Sequence, residues 1–221
     1  MIIKEKERKL LVNVSDGSQV YEQIMKLEKL GDFHVEGSKH FKTQDIYLDN
    51  KEFILAKKSG YLRIRGKTSG HLITIRKNKD GVIDEVSHPL DDEGIRIVLA
   101  ALADNFNIHE NPQMILPYFS EVFKSIGLTE VLRVAIDRTE RDIFLEDVGI
   151  GKMKIDIFKY LFPKEFGPFY EVEVISYKKA FHGHIDNFIS SLKNNYKEVI
   201  EGFELSKYFR GINIAYGFNF K

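Results

Sequence analysis

Four short segments alternate between two kinds of side chain, and that period of two restricts what the chain can fold into. In "YLRIR", Tyr61, Arg63 and Arg65 share one parity while Leu62 and Ile64 take the other. "LITIR" sets Leu72, Thr74 and Arg76 against Ile73 and Ile75, and "YEVEV" sets Glu171 and Glu173 against Val172 and Val174. Near the N-terminus, "KEKERKLL" places Glu5, Glu7 and Lys9 on one parity. Side chains on a strand repeat every second residue, so each segment predicts one charged face and, in the first three, one apolar face. A single strand of this kind is an ordinary wet-faced strand. Several of them, in a chain whose amphipathic helices need the apolar faces, leave the charged faces to look elsewhere. In a sheet closed into a barrel they look inward. Unpaired buried charge is costly, so such a lumen is wet or filled by an ionic ligand.

The rest of the chain fits an α+β arrangement in which a closed eight-stranded antiparallel β-barrel carries helices on its outside. "TQDIYLDN", "GYLRIRGK", the two halves of "HLITIRKNKDGVIDEVSHPL", "EVLRVAIDRTERDIFLEDVG", "GKMKIDIFKY" and "PFYEVEVISY" read as strands after the first. Asp80-Gly81 signals one hairpin turn and Gly149 with Gly151 another. Helices are predicted in "SDGSQVYEQIMKLEKLG", "DDEGIRIVLAALADNF", "PYFSEVFKSIG" and "AFHGHIDNFISSLKNNY", each with apolar residues at helical spacing for packing against a sheet. No linker or repeat divides residues 1–221, which read as a single domain.

Lys plus Arg equals Asp plus Glu at 33 each, which argues against a general nucleic-acid binder. With no cysteine, disulfides, thiol nucleophiles and Cys-ligated zinc are excluded. No apolar signal segment or membrane span is legible, so a cytoplasmic protein acting away from membranes is expected.

The inward candidates are of two kinds. Glu5, Glu7, Glu171 and Glu173 are acids, joined by Glu85 and Asp156; Lys9, Arg63, Arg65 and Arg76 are bases, joined by Arg138 and Lys207. Carboxylates without His or Cys suit hard cations such as Mg²⁺ or Mn²⁺. Clustered Arg and Lys suit phosphate oxygens. Together they suit a metal-bound polyphosphate and the electrostatics of phosphoryl or nucleotidyl transfer.

Glu5-x-Glu7-x-Lys9 resembles the ExExK signature of CYTH proteins, the triphosphate tunnel metalloenzymes. "DIYLDN", "YLRIR", "LITIR", "IDRT", "MKID", "YEVEV" and "LSKYFRGI" follow in the family's order. The resemblance implies an eight-stranded tunnel that binds a triphosphate and a divalent metal. It implies metal ligation by Glu5, Glu7, Glu171 and Glu173, assisted by Asp156 and Glu85. Lys9, Arg63, Arg65, Arg76, Arg138 and Lys207 would grip the triphosphate. Glu171 or Glu173 would accept a proton as metal-activated water attacks the terminal phosphorus in line. The family often carries Lys where Arg76 stands, beside Lys77, and a second Glu where Ser87 stands. In "RVAIDRTERDIF" the tunnel arginine is Arg133, Arg138 or Arg141; strict alternation with Val134 and Ile136 points Arg138 outward unless a bulge intervenes.

The family includes thiamine and inorganic triphosphatases and class IV adenylyl cyclases, so hydrolysis of inorganic triphosphate, thiamine triphosphate or a nucleoside triphosphate is expected. A cyclase making cyclic AMP and diphosphate is the alternative, and a polyphosphate binder without turnover a second. A small-molecule substrate is implied, and a homodimer is the default assembly. Other motifs carry less. "GYLRIRGKT" has five residues between Gly60 and Gly66 where a P-loop needs four. His182 and His184 lack a third spaced ligand, "NIHENP" reads as a loop, and Tyr47 and Tyr61 read as core.

Overall fold

The computed structural model describes residues 7–12, 17–67, 70–79, 82–107, 119–197, 199–201 and 206–220. Glu5 and the predicted Asp80-Gly81 turn lie outside these residues. Ten strands fall within them: β1 (Glu7–Val12), β2 (Lys29–Leu30), β3 (Phe33–Asp49), β4 (Gly60–Lys67), β5 (Gly70–Lys79), β6 (Val82–Pro89), β7 (Thr129–Leu145), β8 (Val148–Phe162), β9 (Phe166–Ser176) and β10 (Val199–Glu201). The helices are α1 (Gly17–Met25), α2 (Ile54–Lys57), α3 (Asp92–Phe106), α4 (Phe119–Ser125), α5 (His182–Asn195) and α6 (Lys207–Tyr216). None is long and apolar enough to cross a membrane.

The sheet is antiparallel throughout and runs β10-β1-β9-β8-β7-β3-β4-β5-β6, with β2 paired to β3. The expected closure is not among the described pairings: no described residue of β1 or β10 pairs with β6.

The two faces divide as the alternation requires. On one, α1 and α5 cover Val35, Ile143, Ile155, Val172 and Val174 through Val20, Ile24, Ile185 and Phe188. Farther along the same face, α3 and α4 cover Leu62, Ile64, Ile73 and Ile75 through Val98, Leu102, Phe106 and Phe123. Asp91 caps α3 by accepting from the Gly94 N–H at 2.8 Å, fixing where that helix begins.

Helices are not confined to that side. The C-terminal α6, absent from the sequence-based expectation, packs Tyr208 and Ile212 on the other face against Tyr47, Tyr61, Val134, Ile136, Phe158 and Tyr160. Val134 and Ile136 therefore share Arg138's face without pointing it outward, because the charged face carries an apolar patch of its own where α6 sits.

Two further expectations change. β3 is twice as long as "TQDIYLDN" suggested. After the buried Phe33 and Val35, residues 36–40 are polar or glycine and exposed, and a register shift between Glu36 and Lys39, with Gly37 at φ 66°, breaks the alternation. The β7–β8 turn is Glu146-Asp147, with Glu146 at φ 54°, and Gly149 and Gly151 lie inside β8. Gly151 serves packing instead: a Cβ there would collide with the Ile175 carbonyl and the Ile185 side chain.

Candidate active site

Register sets the charged residues side by side in rows. Arg138, Asp156 and Glu171 are neighbours across β7, β8 and β9; Glu140, Lys154, Glu173 and Lys9 form the next row, extending to β1. On the other half, Asp45 faces Arg65, Tyr47 faces Arg63, and Tyr61 faces Arg76, which faces Glu85. Many of these positions meet at one cavity of about 190 Å³, lined by Asp45, Tyr47, Tyr61, Arg63, Arg65, Arg76, Glu85, Arg138, Lys154, Glu173, Ser206 and Lys207. Every strand from β3 to β9 contributes, and α6 with its cap residue closes one side. A wall drawn from seven neighbouring strands requires a strongly curved sheet.

Among the described residues, the lining holds six cations against three carboxylates. The chain as a whole is neutral, so positive charge is concentrated here. Arg65 forks onto Asp45 with two hydrogen bonds of 2.6 Å, and Arg63 lies 3.7 Å from the same carboxylate. Burial works against charged Asp45, but the Arg65 and Arg63 guanidinium groups outweigh it and hold its pKa below the usual carboxylate value. Arg63 lies 5.7 Å and Arg76 5.9 Å from the Tyr61 ring, and Arg76 reaches Glu85 at 3.6 Å. The Arg63 Nε–H is buried without an acceptor among the described residues.

Opposite, Arg138 forks onto Asp156 with two bonds of 2.6 Å and stands 3.6 Å from Glu173. Lys207 donates to Asp156 at 2.9 Å and also to Glu171, whose other oxygen accepts from Arg210 at 2.8 Å. Asp156 is buried, which alone would raise its pKa, yet Lys207 and Arg138 hold it well below the ordinary range. The first turn of α6 is thus tied to two carboxylates of the sheet.

The structure brings together Arg63, Arg65, Arg76, Arg138, Lys207, Glu85 and Glu173 on the cavity wall, with Asp156 and Glu171 bonded just behind. Lys9 is in register with Glu173 and Glu7 with Ile175. The three arginines of β7 separate cleanly. Arg133 pairs with Glu130, and Arg141 is buried away from the cavity, donating to the carbonyls of Met25, Leu27, Val35 and Gly37. Lys77 turns to the Asn105 carbonyl, and Ser87 bonds Thr74. Asp45, Lys154, Ser206 and Arg210 were missed. Asp45 shares the parity of Tyr47, Lys154 that of Asp156, and Arg210 lies three residues from Lys207, so these three carried a spacing signal, while Ser206 carried none beyond standing next to Lys207.

The acids suit a hard cation by donor type. Among the described residues, however, no three acidic or histidine side chains converge without help, and Asp156 and Glu171 are already neutralised by side-chain cations. Glu173 is the predicted ligand that reaches the cavity from the "YEVEV" strand.

Residues 4–182 match the CYTH domain, and the chain belongs to that family. Among solved structures it resembles a Bacillus halodurans protein assigned as an adenylate cyclase, at 18% identity over 94% of this chain and 97% of that one, with a TM-score of 0.55. It also resembles a Hippeastrum protein assigned as an adenylyl cyclase and found to have a dominant triphosphatase activity, at 14% identity, 93% of each chain and a TM-score of 0.57. A Pyrococcus horikoshii protein aligns at 14% identity over 97% and 99% of the two chains, with a TM-score of 0.54. These likenesses establish the fold. No curated protein sequence matches the chain.

Proposed function

We propose that this CYTH protein hydrolyses a triphosphate bound in the charged cavity, with Mg²⁺ or Mn²⁺ as its metal. The observation that carries this reading is that, among the described residues, the wall has a cation excess and no aliphatic side chain, and a buried Arg63 N–H lacks an acceptor. Buried donors are normally satisfied, so this one suits an anionic oxygen. The Hippeastrum relative's dominant triphosphatase activity fits the same class.

In this reading β1 and β6 complete a closed tunnel around the phosphate chain. Arg63, Arg65, Arg76, Arg138, Lys154 and Lys207, with Lys9 from β1, neutralise its oxygens and stabilise charge on the leaving diphosphate. Arg65 and Arg138 enter preorganised, because Asp45 and Asp156 already fix their guanidinium planes. Glu173, Glu5 and Glu7 would hold the divalent cation, assisted by Asp156, Glu171 and Glu85. A bound cation of this kind lowers the pKa of water and neutralises phosphate charge. Glu173 orients the attacking water and accepts its proton. No covalent nucleophile is needed.

The test is phosphate release from tripolyphosphate, thiamine triphosphate and ATP with Mg²⁺ or Mn²⁺, with cyclic AMP assayed in the ATP sample. Orthophosphate that disappears with EDTA is the expected result. Cyclic AMP with diphosphate would place the protein among the cyclases. Silence on every substrate, with tripolyphosphate still raising the melting temperature, would leave a binding protein.

A further inference from the structure

Asp49 ends β3 on the same parity as Asp45 and Tyr47, yet it does not touch the cavity. It is fully buried, and four neutral donors reach its carboxylate. The backbone N–H groups of Asn50, Leu55 and Ala56 donate at 2.8, 3.0 and 3.0 Å, and the Tyr208 hydroxyl donates at 2.7 Å. Three of these bonds fold the chain after β3 around the carboxylate and satisfy the start of α2. The fourth spans 159 residues to α6. Burial pushes the Asp49 carboxyl above its ordinary pKa even with these donors. A well-packed apolar residue would avoid that cost, so the long-range bond to α6 calls for a reason.

The reason lies one residue away. Lys207, adjacent to Tyr208, crosses into the cavity and holds Asp156 and Glu171. The Tyr208 ring stacks on Tyr47 at 5.0 Å and tilts against Tyr61 at 5.7 Å, and Tyr61 is the ring over which Arg63 and Arg76 lie. The Tyr160 hydroxyl fixes the Lys207 carbonyl at 2.8 Å. The N-terminal turn of α6 is therefore held by bonds that set both its rotation and its depth on the sheet.

We propose that Asp49 and Tyr208 are positioning residues of the phosphate cavity: their hydrogen bond seats α6 so that Lys207 enters the site. This rests on the triphosphate reading of the cavity, and Asp49 acts without touching ligand.

The experiment is calorimetric titration of metal-free protein with tripolyphosphate, using Lys207→Ala, Tyr208→Phe, the double variant and Tyr216→Phe. Tyr208→Phe keeps the ring and removes only the donor. Tyr216→Phe is the matched control, because it removes a 2.7 Å bond from the far end of the same helix to the Val131 carbonyl. Lys207→Ala is expected to weaken binding at least tenfold, Tyr208→Phe about fivefold, and Tyr216→Phe less than twofold. The double variant should bind like Lys207→Ala alone, since a positioning effect vanishes when the group it positions is gone. Wild-type affinity in Tyr208→Phe, or losses that multiply in the double variant, would overturn the proposal while leaving the cavity reading intact. Unchanged affinity in Lys207→Ala would overturn the cavity reading and the proposal with it.

Discussion

Arg65 and Asp45 face each other across β4 and β3, and the guanidinium holds both carboxylate oxygens at 2.6 Å. Asp45 is completely buried, and its pKa in the folded chain lies below the value of about 3.9 expected when unfolded. The charged form is therefore favoured by folding. Its stabilisation is fully present above pH ~4 and is lost as pH falls through the lower folded pKa. Asp45→Asn should cost about 3 kcal/mol at neutral pH, since it leaves a largely buried guanidinium without its counter-charge. Urea unfolding of the two proteins at pH 7 and below pH 4 checks this. The gap between them should narrow at the acid end; a gap that widens there contradicts the ion pair as its source.

Arg138 and Arg141 stand three residues apart on β7 and predict opposite phenotypes. Arg138 lines the cavity beside Glu173, whereas Arg141 joins four backbone carbonyls between α1 and β3. Arg141→Ala should lower stability by about 3 kcal/mol, because buried carbonyls lose a charged donor. Its tripolyphosphate affinity should stay within twofold of wild type. Arg138→Ala should weaken that affinity at least tenfold. Thermal melts and calorimetry on both variants would expose an interchange of roles.

The separation of these arginines also shows what the sequence could reveal. Arg63, Arg65, Arg76, Glu171 and Glu173 were legible because each alternates with Leu, Ile or Val that faces outer helices. Arg138 was ambiguous because its neighbours of like parity, Val134 and Ile136, are apolar for a different reason: they receive α6. Alternation reports that two faces differ, but it cannot say which face a distant helix will cover. Lys207 was readable as a site residue from "LSKYFRGI", while the helix that delivers it was not. Nothing local announces that a C-terminal amphipathic segment will pack on the charged side. Asp49 was hidden for a similar reason, since its key partner lies 159 residues away.

Glu173 is buried and lies beside Arg138 on the cavity wall. If, as proposed, it receives the proton of the attacking water, it should matter more to turnover than to folding. Glu173→Gln keeps the shape and removes the basic oxygen. Its kcat on the preferred triphosphate should fall about a hundredfold or more, with the melting temperature little changed. A variant that loses KM alone would make Glu173 a binding group and move the base elsewhere.

Lys207 bridges Asp156 and Glu171, two acids that would otherwise attract a divalent cation. Removing its ammonium group has two consequences of opposite sign. The cavity loses one of the six cations its described lining holds, so, on the proposed reading, tripolyphosphate should bind at least tenfold more weakly to Lys207→Ala. The two carboxylates lose an internal counter-ion, so Mn²⁺ should bind more tightly, by several-fold. Mn²⁺ titration followed by paramagnetic resonance, without substrate, reads the second effect independently of turnover. Tighter Mn²⁺ with weaker tripolyphosphate would establish that α6 and the metal compete for Asp156 and Glu171. If both affinities fell together, Lys207 would instead be holding those acids in the geometry the metal needs.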